Sequence, residues 1–378
     1  MASQRRLSWL VFFGLMGSTA SAIPALIPHF ASTFSIDNFY LLNAVPLLFA
    51  GLFLGILINP LLSTRFGFQQ LARFAGILIG IGLFSIAFAT DAQLFFLGSF
   101  LSGIGFGLAE VSITSQVKKE ISDTTKMMTK LNAVFAISAM TTPLLVIAEL
   151  QLFSSYTLLT IIGFSTLTVG FFVRGISKTT APINKLKVGP EGILFLAVAG
   201  LYVGAESVMA GWASTVLNQA TAIETEFTPV ASSVFWALIA LGRIFSIWLT
   251  PKHLSENSAL VFWPSAAGLS LIIGSVSFQS NPSAALIAFA ISVFAAGPVY
   301  GQIIGAALKT AELENANTFT TIIIIAGAAG GFLIPALIQL SPSIAVAGWL
   351  SATAMLLVSI SFLIFTKAFK PKRTEVMQ

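Results

Sequence analysis

The stretch "GISKTTAPINKLKVGPEG", residues 175–192, is the longest hydrophilic run inside a chain of 378 residues, and it sits at the midpoint. On either side the chain is almost uniformly apolar. Hydrophobic residues make up 56% of the whole and charged residues only 9%, where a soluble globular chain carries roughly 25% charged. About 20 apolar residues in a helix cross the ~30 Å hydrocarbon core of a bilayer. Segments of that length fall near 7–30, 40–62, 71–90, 94–117, 128–150 and 153–176 before the hydrophilic run. After it they fall near 192–217, 230–250, 258–279, 284–308, 318–340 and 343–365. The reading is an all-α membrane protein whose twelve transmembrane helices form two pseudo-symmetric six-helix bundles. The N-terminal bundle is expected over 1–176, a linker over 177–191, and a C-terminal bundle with a short tail over 192–378.

The basic residues fix an orientation. Arg5, Arg6, Arg65, Arg73, Lys118, Lys119, Arg174, Lys185, Lys252, Lys309 and the tail from Lys367 to Arg373 all fall on one side of a twelve-span chain. The opposite loops hold Asp37, Asp91, Glu149, Glu224 and Glu226, and no Lys or Arg. Positively charged loops stay cytoplasmic, so both termini and the linker are expected in the cytoplasm of a bacterial-type inner membrane. The N-terminus has some features of a cleavable signal peptide, with Arg5-Arg6 before an apolar run and Ala20–Ala22 after it. The apolar run continues to Phe30, which makes the segment a first span.

Composition also excludes functions. The net charge of +5 is a topological signal and implies no nucleic-acid partner. The chain has no cysteine and only two histidines, so no thiol chemistry and no metal site are expected. No nucleophile–base set suggests an enzyme. No G-x-x-x-x-G-K-[ST] loop is present to bind ATP, and no cofactor is implied. Any transport must draw on a gradient.

A few polar groups remain inside the apolar segments, where they are costly and read as functional. Glu110 ends the Gly-rich stretch "GIGFGLAE", residues 103–110. Gly103 and Gly107 lie on its helical face and allow a close helix approach. Glu110 is therefore expected to point into the bundle and to act as a proton-coupling carboxyl. Glu206 lies mid-span with Tyr202 four residues before it and Trp212 six after. The carboxylate and phenol suit a polar solute, and the indole offers a flat apolar face. Structural alternatives stand beside each: interhelical hydrogen bonding for Glu110, ion pairing for Glu206, packing for Trp212. Arg243 needs a partner or must snorkel, and Glu206 is one candidate, giving Arg243 a structural or gating role. Asn43 and Gln302 are uncharged candidates for contacting a solute. An offset of 192 residues aligns Gly105 with Gly297, Pro143 with Pro335 and Glu110 with Gln302, as expected of two related halves with a site between them.

Twelve spans, a cytoplasmic middle loop and the motif "LLSTRFGFQQL" at 61–71 resemble the major facilitator superfamily. In its usual G-x-x-x-D-R-x-G-R-R loop only Arg65 and Gly67 match. Arg65 is carried over as a gating residue, while Thr64 stands in place of the acid and Phe68 and Gln69 in place of the basic pair. "LYVGAESVMAGWASTVL" at 201–217 and "FWALIALGRIFSIWL" at 235–249 resemble the seventh and eighth spans of the fucose-permease-like branch. "GLAEVSITSQV" at 107–117 resembles its fourth span. The acid that sugar symporters of this branch carry on the first span is absent here. The G-x-x-x-G-P pattern of antiporters is also absent, since Thr142 precedes Pro143.

The resemblance implies a proton-coupled secondary transporter, a symporter of a small polar organic solute with sugar-like compounds favoured, working as a monomer in the lipid bilayer by alternating access. Two alternatives stand. One is a proton-driven exporter of amphipathic compounds or lipids, which an apolar central cavity would favour. The other is a non-transporting membrane receptor on the same fold.

Overall fold

The computed structural model describes residues 2–120, 124–152, 157–174, 189–221, 223–310 and 316–368. Among these the regular structure is helical, with no strand. The N-terminal half comprises α1 (Ala2–Ala25), α2 (Ile27–Phe34), α3 (Asn38–Leu41), α4 (Ala44–Ser63), α5 (Phe68–Ala87), α6 (Ala92–Glu120), α7 (Thr124–Leu152) and α8 (Thr157–Phe172). The C-terminal half comprises α9 (Pro190–Ala220), a 3₁₀ turn (Thr225–Phe227), α10 (Val230–His253), α11 (Glu256–Ser277), α12 (Pro282–Ala296), α13 (Val299–Thr310), α14 (Ala316–Ile338) and α15 (Ile344–Ala368). The expected linker lies outside the described residues up to Val188, and α9 begins at Pro190.

Ten segments among the described residues are long and apolar enough to cross a membrane. Two shorter apolar helices, Thr157–Phe172 and Ile322–Ile338, bring the crossings to twelve. Helices are forced here because hydrocarbon offers no partner for backbone N–H and C=O groups, and an α-helix satisfies them within the segment. Two crossings are interrupted at proline. The first breaks at Leu26, between Pro24 and Pro28, and continues as α2. The tenth breaks at Gly297-Pro298, between α12 and α13. Proline has no N–H to give to the carbonyl four residues back, and both breaks adjoin the site described below.

The two halves repeat one packing scheme. In the first, α1 packs on α7, α4 and α5 on α6, and α5 on α8. In the second, the corresponding pairs are α9 on α14, α10 and α11 on α12, and α11 on α15. The halves meet along α4 with α14 and α7 with α10, themselves equivalent pairs.

Two glycine contacts fix the register of the repeat. Gly103 on α6 lies against the Leu48 carbonyl, and Gly51 on α4 against the Phe100 carbonyl. Gly297 lies against the Ile239 carbonyl, and Gly242 on α10 against the Phe294 carbonyl. No Cβ fits at any of the four, so the backbones touch, as small residues allow in membrane helices. By packing, Gly297 therefore corresponds to Gly103, and Gly242 to Gly51. The offset of 192 that set Gly105 over Gly297 is two residues out for this span pair. Gly105 instead packs against Ala75 of α5. Arg243 takes the place that Leu52 has in the first half, each beside its facing glycine, Gly297 or Gly103.

Candidate functional site

Between the halves lies a cavity of about 190 Å³. Thr19 to Pro24 of α1, Val45 to Leu52 of α4, Val203 to Gly211 of α9 and four aromatic rings wall it. The rings are Phe49, Phe106, Phe135 and Trp236, and Phe135 meets Trp236 edge-on across the two halves at 5.6 Å between centroids. Among the described residues, Glu206 is the only charged one in the wall. Its neighbours in the wall follow from helical spacing, since Val203 and Ala210 stand three and four residues from it on one face.

Behind Glu206 stands Arg243. Its Nη2 lies 4.0 Å from Glu206 Oε1, with the arginine side chain 40% exposed and the glutamate 18%. Its Nε donates to the Gly297 carbonyl at 3.0 Å, at the break between α12 and α13. Tyr202 is fully buried and donates its hydroxyl to the Ala296 carbonyl at 3.0 Å, one residue earlier in the same break. Glu206 lies beside that hydroxyl. Tyr300, the second residue of α13, stacks on Tyr202 with centroids 5.9 Å apart and planes at 23°. Tyr300 also lies within electrostatic reach of Glu110, which α6 brings from the other half. Two carboxylates, one guanidinium and two phenols thus gather round the α12–α13 break.

The sequence candidates divide accordingly. Glu206, Tyr202 and Arg243 are brought together, and Glu110 approaches them through Tyr300. Glu110 is half-buried and makes no hydrogen bond or ion pair among the described residues. Trp212 faces elsewhere, because six residues at 100° each turn it about 120° from Glu206. It lines a second pocket with Leu271, Phe289 and Ser351, inside the C-terminal half. Its ring packs on Phe39 of the N-terminal half at 5.6 Å, and its Nε1 has no partner. Asn43 precedes α4 and donates to the Tyr40 carbonyl at 2.8 Å, away from the cavity. Gln302 lies one turn into α13 with a buried Oε1 that has no partner. Arg65 is exposed in the turn between α4 and α5 and makes no ion pair among the described residues.

Sequence reading did not find Tyr300, the four rings or the hydroxyls of Thr19 and Ser207. Among 34 Phe residues nothing in the pattern singles out Phe49, Phe106 and Phe135. The mid-span Pro24 was the available signal for the wall of α1.

At the end of the molecule that carries α2, α3 and the 3₁₀ turn, the halves are tied together. Asn38 donates to the Asn218 side chain at 3.1 Å, Phe39 meets Trp212, and His29 lies near Glu226. Val208, Trp212 and Val216 of α9 join the hydrophobic core of the first half at this end.

The family model of the Major Facilitator Superfamily matches residues 8–335. This chain belongs to that superfamily. Members of the superfamily are transporters rather than enzymes, and the chain is a multi-pass membrane transporter. A curated relative, the glucose/mannose transporter GlcP of Bacillus subtilis (strain 168), is 26% identical over 377 residues, covering 91% of this chain and 89% of the relative. The POT family transporter PepTSo superposes with a TM-score of 0.78 at 12% identity, covering 98% of this chain and 99% of that one. A D-xylose-proton symporter gives 0.73 at 13% identity, covering 95% of each chain. At such identities these structures establish the shared major facilitator fold.

Proposed function

We propose that this protein is a proton-coupled secondary transporter of a small polar organic solute of sugar size, moved by rocking of the two halves about the central cavity. The observation that carries the reading is the cavity itself. It lies between the halves, has one carboxylate in its wall, and has aromatic faces on which a pyranose ring can stack. The likeness to a glucose/mannose transporter supports a hexose. Proton coupling is supported by Glu206, 4.0 Å from the Arg243 guanidinium, and by Glu110, which comes from the opposite half within reach of Tyr300. An acid in a low-dielectric cavity can change charge as its exposure changes. The basic loops support cytoplasmic termini in an inner membrane.

Export of amphipathic compounds is the second reading, favoured by the apolar residues that make up most of the wall. A thermal-shift screen of purified protein separates the two. Stabilisation by hexoses and not by amphiphiles supports the first, and the reverse pattern supports the second.

A further inference from the structure

We propose that the cavity reads hydrogen-bond donors on its solute and excludes anions, so that it admits neutral or cationic solutes and rejects carboxylates and phosphates. The inference rests on the reading of the cavity as the solute site and gives that site its specificity.

Among its described residues the wall offers more acceptors than donors. Thr19 spends its hydroxyl hydrogen on the Leu15 carbonyl at 2.9 Å. Ser207 spends its own on the Gly204 carbonyl at 2.8 Å. Each hydroxyl has one hydrogen and two lone pairs, so both present only acceptor capacity to the cavity. Pro24 has no N–H for the carbonyl of Ala20 four residues back, and Ala20 and Pro24 both line the cavity. That carbonyl is a third acceptor. Glu206, when ionised, is a fourth and then accepts only. Arg243, the nearby donor, is not among the described residues that line the wall; its Nε is taken by the Gly297 carbonyl and its Nη2 stands 4.0 Å from Glu206. The Trp236 indole is the one fixed N–H among the described lining side chains. Where a ring presents its face to the solute, its negative quadrupole potential attracts cations and repels anions. A solute that offers O–H or N–H groups satisfies this wall. A carboxylate would meet lone pairs and, with Glu206 ionised, a like charge, which is costly.

The test is binding of matched ligands to the purified protein by calorimetry, with two sets of probes. The first set is a hexose, its deoxy and deoxyfluoro analogues at each hydroxyl, the hexosamine and the hexuronate. Fluorine keeps a weak acceptor and loses the donor. The deoxyfluoro sugars should therefore bind as poorly as the deoxy sugars, roughly ten- to hundred-fold below the parent at the positions that contact the wall. The hexosamine should bind and the hexuronate should not. Thr19→Val should erase the difference between the parent and the deoxy sugar at one position.

The second set, phenylethanol, phenethylamine and phenylacetate, separates the specificity from the sugar reading. If no hexose binds but phenethylamine binds and phenylacetate does not, the sugar reading fails and the donor rule stands. Binding of the hexuronate or of phenylacetate as tightly as its neutral partner overturns the rule. So do deoxyfluoro sugars that match the parent. No binding in either set overturns both readings.

Discussion

Glu206 on α9 and Arg243 on α10 approach to 4.0 Å between Oε1 and Nη2 while Glu206 also lines the central cavity. The two placements that the sequence left as alternatives, beside an arginine and facing a cavity, belong to one carboxylate. A substrate that binds Glu206 competes with Arg243 for it, which links cavity occupancy to the helix break that Arg243 holds at Gly297.

Removing one partner of this pair leaves the other without its charge. For a dry pair that costs about 3–5 kcal/mol, and for an exposed one about 1 kcal/mol or less. With Arg243 40% exposed, a loss of about 2 kcal/mol is expected for Glu206→Gln and for Arg243→Gln. The double variant should lose less than the sum. Chemical or thermal denaturation in detergent measures all three, and strict additivity would mean that the pair contributes no coupling. Glu206→Gln should also weaken solute affinity, and Arg243→Gln should weaken it less.

Glu110 should carry the coupling proton of the N-terminal half. Glu110→Gln keeps the shape and polarity but cannot titrate, so counterflow exchange should persist while accumulation against a gradient is lost. The pH dependence of the remaining exchange should flatten. A variant that still accumulates solute would remove Glu110 from the mechanism.

The tie between Asn38 and Asn218 joins the halves at one end, and alternating access requires it to open. The chain has no cysteine, so Asn38→Cys with Asn218→Cys gives a clean reporter pair. Their side chains are hydrogen-bonded in this state, which puts the two thiols within reach of a short, reducible bis-thiosulfonate cross-linker. Cross-linking should stop transport and reduction should restore it. Full transport by the cross-linked protein would show that this end does not open.

The glycine contacts should be intolerant. Gly242→Ala drives a Cβ into the Phe294 carbonyl, and overpacking of this kind typically costs about 1–3 kcal/mol. Gly301→Ala on α13, with nothing within 4 Å of its new carbon, should leave the melting temperature unchanged. Equal effects at the two positions would contradict the register assigned to α10 and α12.

The architecture was largely legible because hydrocarbon imposes simple rules on length and charge. The hydrophilic run at 175–192 divided the chain, and the spans followed from the apolar segments. Glu206, Tyr202 and Arg243 were also legible, since polar groups inside spans are conspicuous. For Trp212 the packing alternative holds, since its place six residues from Glu206 turns it about 120° away and buries it against Phe39. The repeat register misled at Gly105, where one sequence offset cannot serve spans whose loops differ in length. The acceptors of the wall stayed hidden because a hydroxyl's direction depends on which carbonyl takes its hydrogen, and that is a tertiary fact.

The central claim is proton-driven movement of a small polar solute through the cavity. Purified protein in sealed proteoliposomes, with an imposed pH gradient and labelled hexose outside, tests it most directly. The account predicts accumulation above the equilibrium level, collapse of that accumulation on adding a protonophore, and none in the Glu110→Gln protein. Uptake that never exceeds equilibrium, or that ignores the protonophore, would contradict it.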